Sequence, residues 1–227
     1  MLPKILQELD RRLSIEDRSV RIVHEDRRLR ICTHGLKDEG YMFVKQNDAL
    51  EKVILVDSNN RSLGVMEKLQ AHQQGALHRA FSVFIFNKNN QLLIQKRAGC
   101  KYHSPNEWAN TCCGHPREHE DIADAASRRL FEEMGLRIPL TTGAAFVYQA
   151  SLANNLIEHE FVHFFIGMTD DNPVLNPYEV DEYLWISKDQ LFSHSLNVDF
   201  APWFKVYINQ HQHIMDTMFL RAQTLLS

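Results

Sequence analysis

Residues 110–135 constrain this chain more than any other stretch. They open as Asn110-Thr111-Cys112-Cys113-Gly114-His115-Pro116 and run on to Gly135. From Gly114 they keep the frame G-x5-E-x7-R-R-L-F-E-E-M-G-L, with Glu120, Arg128, Glu132, Glu133 and Gly135 as fixed points. Asp121 is a good N-cap, so the spacing predicts a helix from there to Met134. Ile122, Ala125, Ala126, Leu130 and Met134 form its apolar stripe, Arg128, Glu132 and Glu133 lie off that stripe, and Gly135 is placed to end it. Residues 108–113 read as short and extended, delivering both cysteines to a sheet edge or a loop. The fold must therefore present an extended segment, a glycine loop and an acidic helix in immediate succession. A thiolate beside such a helix points to acid/base chemistry on a phosphorylated substrate.

The flanking sequence supplies the sheet. Residues 53–57 are a buried strand run, 58–60 carry turn chemistry and 62–66 return as its partner. Residues 68–75 read as a looser stretch carrying His72. In 78–86 apolar side chains fall on both faces, which implies a central strand. A hairpin turn at 87–90 leads to a strand over 91–97. Residues 143–150 and 156–168 are two more strands, and in the second Glu158 and Glu160 share a face with Val162, Phe164 and Ile166. Residues 172–177 are a turn-rich loop, 182–186 a final strand, and Ser187 begins a short helix with Asp189 in its first turn. The tail from Pro202 reads as one C-terminal helix. Mixed strands with a few helices give an α/β or α+β layered domain over 51–227. The first fifty residues differ in texture. Leu2, Ile5, Leu6, Leu9 and Leu13 recur at helical spacing, and short β-like runs follow at 20–23, 29–33 and 41–44. No chemistry is apparent in them, and they are read as an N-terminal extension.

Composition narrows the function classes. At 227 residues the chain suits one well-buried domain of roughly 100–200 residues. A net charge of −4 argues against a general nucleic-acid binder, which needs clustered Lys and Arg. It leaves room for a small anionic ligand. No run approaches the roughly 20 apolar residues of a membrane-spanning helix, and the N-terminus lacks the apolar core of a signal peptide. The cysteines Cys32, Cys100, Cys112 and Cys113 are no disulfide scaffold. A reducing cytoplasm is the expected compartment.

Each candidate residue has an ordinary alternative. Glu132 and Glu133 beside Arg128 could be a solvated helix end. The frame in front of them instead suits a divalent cation held through oxygens and bridged by a diphosphate. Cys113 could be a small buried hydrophobe, but His115 and Gly114 beside it point to a reactive thiol. Glu158 and Glu160 could lie on the wet face of an edge strand, or be paired or metal-bound. His72 and His78 taken alone read as surface residues, and Trp203 as a core aromatic.

The frame resembles the Nudix box, G-x5-E-x7-R-E-U-x-E-E-x-G-U, at every fixed position except one. Arg129 stands where a metal-holding Glu belongs, which favours keeping a diphosphate intact over hydrolysing it. The core from about Val53 to Trp203 is similar to type I isopentenyl-diphosphate Δ-isomerases, relatives of the Nudix fold. The residues that carry the match are Glu67-Lys68…His72, Leu77-His78-Arg79-Ala80-Phe81-Ser82, Gln95-Lys96-Arg97-Ala98, Trp108…Asn110-Thr111-Cys112-Cys113-Gly114-His115-Pro116, Ala126…Arg128-Arg129-Leu130, Glu158-x-Glu160 and Pro202-Trp203-Phe204. The resemblance implies a Nudix-like mixed sheet layered with helices. It also implies interconversion of isopentenyl and dimethylallyl diphosphate by protonation and deprotonation through a tertiary carbocation-like state, in isoprenoid biosynthesis. It assigns Cys113 and Glu160, assisted by Tyr148, as the acid/base residues. It gives His72, His78, His115, Glu158 and Glu160 to one Mn²⁺, Mg²⁺ or Zn²⁺, and Glu133 with the Cys113 carbonyl to a diphosphate-bound Mg²⁺. Lys68, Arg97, Lys101 and Arg129 match the basic residues around the diphosphate, and Trp203 the ring that faces the developing cation. The alternatives are a Nudix hydrolase of a nucleoside diphosphate derivative and a non-catalytic diphosphate-binding protein.

Overall fold

The computed structural model describes residues 20–25, 28–33 and 40–42 by their backbone, and residues 51–193 and 195–225 in full. The chain divides into two units, Met1–Lys45 and Gln46–Ser227. The helix expected around Leu2–Leu13 lies outside the described residues. In the first unit β1 (Val20–Glu25), β2 (Arg28–Thr33) and β3 (Gly40–Met42) form an antiparallel sheet in that order.

The second unit is built on a mixed sheet of nine strands among the described residues. The chain runs β4 (Lys52–Val56), β5 (Ser62–Glu67), α1 (Lys68–Gln74), β6 (His78–Phe86), β7 (Leu92–Arg97), β8 (Trp108–Asn110), β9 (Cys112–Gly114), α2 (Ile122–Met134), β10 (Thr141–Ser151), β11 (Ile157–Met168), β12 (Val180–Ile186), α3 (Lys188–Phe192), α4 (Pro202–Gln210) and α5 (Gln212–Leu225). The central path is β10-β11-β6-β4-β5, and β7 joins β6, β8 and β12. β6 is the hub, pairing with β4, β7 and β9 as well as with β11, its parallel neighbour. That explains its apolar residues on both faces.

Those faces hold separate cores. Phe84 and Phe86 of β6 join Val162 and Phe164 of β11 and the helices α4 and α5 in one core. Phe81, Val83 and Ile85 join Leu93 and the stripe Ala125, Ala126, Leu130 and Met134 of α2 in the other. Cys112 belongs to the second core and is fully buried, while Cys113, its neighbour on a strand, points to the opposite face. Burying one Leu or Phe side chain contributes roughly 1.5–3 kcal/mol, so both layers are substantial.

Three expectations are corrected. Residues 68–75 are not loose: α1 spans Lys68–Gln74 and stops at Gly75, which is left-handed at φ 61°. The C-terminal tail is two helices, because His211 leaves helical geometry at φ −120° and ψ 32°. The pair Glu158 and Glu160 is not on an edge, since β11 lies between β10 and β6. The expected end of α2 is present. The Asp121 side chain accepts from the backbone N–H of Ala123 and Asp124, and Gly135 closes the helix at φ 70°. A Cβ there would stand 2.8 Å from Val174, so this turn requires glycine.

Candidate active site

Strand register sets the first cluster. Tyr148 pairs with Glu160 across β10 and β11, and Glu160 with His78 across β11 and β6. Laterally paired residues share a face, so the three form a row across adjacent strands. The Tyr148 hydroxyl donates to Glu160 Oε2 at 2.7 Å. His72 enters from α1, its Nε2 3.1 Å from Glu158 Oε2. His115, just past β9, places Nε2 3.0 Å from Glu160 Oε1 and 3.2 Å from His78 Nε2. His72 and His78 are fully buried, not the surface residues their isolated spacing suggests.

Electrostatics here follow from burial. Desolvation, reinforced by His72, lowers His78 to about 4. Burial and His78 together hold His115 well below the usual imidazole range. Burial opposes the charge on Glu158, yet His72, as hydrogen-bond partner and as charge, outweighs it and holds this carboxyl below the usual range. Glu160 goes the other way, pushed up by burial and by the neighbouring Glu158.

The donor set fits a divalent cation. His72 Nδ1 donates to the Lys68 carbonyl at 2.6 Å and His78 Nδ1 to the Ala76 carbonyl at 2.8 Å. Each bond occupies Nδ1 and turns Nε2 toward the cluster, the orientation of metal-binding histidines, whose Nε2 coordinates when it carries no proton. Ligand atoms of His72, His78 and His115 lie within 4.8 Å of one another, as do those of His78, Glu158 and Glu160. Imidazoles converging with carboxylates in a buried site are the chemistry of a bound metal.

Cys113 lies opposite Ser82 in the β6–β9 pairing. Its thiol donates to Asn110 Oδ1 at 3.0 Å, and its Sγ is 3.4 Å from Ser82 Oγ. Burial pushes the thiol up to about 12, and its hydrogen bonds with Ser82 and Asn110 do not reverse the shift. The protein's own groups thus favour the thiol of Cys113, and a thiolate there would need the charge of bound cations beside it. Gly114 beside it is required by packing, because a Cβ would stand 2.9 Å from the Phe81 ring and 3.3 Å from Arg129.

The end of α2 is not a solvated face. Glu132, Glu133 and Arg129 are all buried. The Arg129 guanidinium contacts Glu133, lies 2.7 Å from Glu132 and reaches Glu179 at 3.2 Å. Burial opposes this charge, but Glu133, Glu179 and Glu132 outweigh the cost and hold its proton more tightly than usual. Gln95 donates to the second oxygen of Glu133 at 2.9 Å, and Lys101 pairs with Glu179 at 2.8 Å. Arg128 grips Glu120 through two bonds of 2.6 and 2.9 Å.

Most of the expected residues meet in one cavity, lined by Lys68, Arg97, Lys101, Cys113, His115, Arg129, Glu133, Tyr148, Glu158, Glu160 and Trp203. His72 and His78 do not line it; fully buried, they reach the cluster through Glu158 and His115. Glu133 is in neither metal-competent group among the described residues. Arg97 stands 5.1 Å from the Trp203 ring centre. Sequence reasoning missed Glu179, which comes from a loop, and His103, whose ring lies 5.7 Å from that of Trp203; neither carries a local signal. It also gave no role to Ser82 or Tyr207, although each sits four residues beyond an expected site residue, His78 and Trp203, on the same strand or helix face.

A NUDIX domain model matches residues 76–207. The chain is 48% identical over 159 residues to a protein of Pectobacterium atrosepticum named isopentenyl-diphosphate Delta-isomerase, covering 69% of this chain and 89% of the relative. It is 47% identical over 163 residues to isopentenyl-diphosphate Delta-isomerase 1 of Aromatoleum aromaticum, covering 72% and 85% respectively. A crystal structure from Deinococcus radiodurans matches at a TM-score of 0.57 and 18% identity, over 69% of this chain and 96% of the other; it speaks for the fold alone.

Proposed function

The chain belongs to the isopentenyl-diphosphate Delta-isomerases within the NUDIX domain family, and on that premise we propose that it interconverts isopentenyl and dimethylallyl diphosphate. Moving a terminal alkene inward requires one proton added at the end carbon and another removed two carbons away. The intermediate tertiary cation reacts with water, so the site must also be dry.

Cys113 supplies one acid/base group and Glu160, with Tyr148, the other. The observation that carries the reading is that Cys113 and Glu160 line the same cavity from different strands, each with a hydrogen-bonding partner of its own. Cys113 is held as a thiol and Glu160 accepts from Tyr148. Proton addition by one group and removal by the other leaves the carbon skeleton and the diphosphate intact. Trp203, already beside the Arg97 guanidinium, offers its ring to the developing positive charge. Lys68, Arg97, Lys101 and Arg129 bind the diphosphate.

His72, His78, His115, Glu158 and Glu160 would hold a divalent ion, Mn²⁺, Mg²⁺ or Zn²⁺, whose charge favours the ionised form of Glu160. Glu133 and the Cys113 carbonyl would hold a Mg²⁺ that travels with the diphosphate. The compartment that fits is the cytoplasm.

Proton exchange into isopentenyl diphosphate in deuterated water, followed by NMR, tests the reading. Wild type is expected to incorporate deuterium and form dimethylallyl diphosphate, and Cys113→Ala to slow this by about 10² or more. No exchange in wild type overturns the function, and undiminished exchange in the variant overturns the role of Cys113. Phosphate release from nucleoside diphosphate derivatives would turn the assignment to hydrolysis.

A further inference from the structure

His103 is a buried polar residue for which the acid/base chemistry has no use. It lines the cavity from the loop between β7 and β8 and is 7% exposed. Rings box it in on three sides. It lies nearly parallel to His72 at 6.1 Å, edge-on to Trp203 at 5.7 Å and edge-on to Tyr102 at 4.4 Å. Packing of this kind would suit a phenylalanine equally well. Yet Nδ1 is sealed inside without a hydrogen-bond partner among the described residues, which destabilises the free protein. A residue that breaks the rule of buried polar satisfaction has its reason in function. The sealing of Nδ1 leaves Nε2 as the polar edge that this ring turns to the cavity.

The surroundings set the charge of what this nitrogen meets. The Arg97 guanidinium donates to the carbonyls of His103 and Ser104 at 3.3 and 3.2 Å and stands 5.1 Å from the Trp203 ring. Lys101 comes two residues earlier on the same loop, and the Lys68 ammonium is 5.4 Å from the Tyr102 ring. Three cations at neighbouring positions favour an anionic oxygen over a water. An imidazole carries at least one N–H in either protonation state, so it has a proton to donate. We propose that His103 is a substrate-binding residue, donating a ring N–H to a diphosphate oxygen alongside Lys68, Arg97 and Lys101. Where the long cationic side chains attract the anion, this ring adds a directional bond from a fixed position. The inference rests on the diphosphate substrate of the proposed function, but not on the isomerisation itself.

Calorimetric titration of the full chain with inorganic diphosphate in the presence of Mg²⁺ tests this without any turnover. His103→Phe keeps a ring in the aromatic box and removes both nitrogens. Its Kd for diphosphate is expected to rise about tenfold, and its KM for isopentenyl diphosphate to rise with it while kcat changes little. Its melting temperature without ligand should be unchanged or higher, because an unpaired buried nitrogen is gone. His103→Gln returns an amide N–H near the position of Nε2, and its Kd should stay within about threefold of wild type. Undiminished diphosphate affinity in His103→Phe overturns the proposal, whatever its melting temperature, and so does a loss in His103→Gln equal to that in His103→Phe. If His103→Phe binds diphosphate more weakly than wild type but neither isomerises the substrate, the function fails and the site is supported. If wild type binds no diphosphate, both fail.

Discussion

Arg129 shows how one side chain changes what a known frame can do. Its fork faces Glu132, Glu133 and Glu179 in a buried setting. A guanidinium so placed offsets the charge of three buried carboxylates at the position where the Nudix frame has a fourth. In Arg129→Met, Glu132 keeps Arg128 and Glu179 keeps Lys101, but Glu133 is left with Gln95. Removing one partner of a buried pair costs about 3 kcal/mol or more, and urea unfolding of the variant should show a loss of that order. A loss below 1 kcal/mol would mean that the cluster is far wetter than its burial indicates. A second prediction concerns Glu158, which holds His72 at 3.1 Å. Glu158→Gln keeps the shape and removes the charge, so retained divalent metal, measured after dialysis, should fall about tenfold or more. Unchanged retention would exclude Glu158 from the ion's surroundings.

At the scale of elements, α2 and the loop before it behave as one piece. Glu120 accepts the Arg117 N–H at 2.8 Å and both arms of Arg128, so the glycine loop is clamped onto the helix. Burial works against the Glu120 charge, but these bonds outweigh it and its folded value is lowered. A carboxyl whose folded value lies below the unfolded one contributes stability above the unfolded value, and loses it as pH falls through the folded one. Glu120→Gln should therefore be about 2 kcal/mol less stable than wild type at pH 7. The gap should shrink below pH 4, and a gap that persists unchanged in acid would sink the clamp. This helix was legible in the sequence because its signals are local: an Asp cap, an apolar stripe and a glycine with no alternative. The helix α1 was not, because its seven residues bury little beyond Ala71 and His72 and gain order from the strands around them. The break between α4 and α5 was also illegible. At His211 it falls on a residue with no breaking propensity, where the Ile214 and Met215 N–H groups turn to the His211 carbonyl.

For the whole molecule, the proposed metal ligands could be named only through the resemblance, and their meeting could not be derived from the sequence. His78 and Glu160 become neighbours only through the parallel pairing of β6 with β11, a long-range register that no local spacing encodes; only the resemblance joined them. The two cores on either side of that sheet then fix where the cavity opens. An ion bound to the folded state alone adds about 2.7 kcal/mol at a hundredfold excess over its Kd. EDTA should accordingly lower the melting temperature, and Mn²⁺, Mg²⁺ or Zn²⁺ restored singly should raise it again, the most effective identifying the ion that the histidines prefer. No change with EDTA would empty the cluster of its assigned role. The same reasoning bears on the first unit. Among the residues whose side chains are described, the buried hydrophobic ones run from Val53 to Ala222, and every side chain assigned to the site falls between Lys68 and Trp203. Nothing in the proposed chemistry calls on residues 1–45. The fragment Gln46–Ser227 is expected to fold and to isomerise with kcat/KM within about threefold of the full chain. Paired melting and turnover measurements would check this. A fragment that folds but turns over a hundred times more slowly would show that the first unit contributes to catalysis, and one that does not fold would place part of the core's stability there.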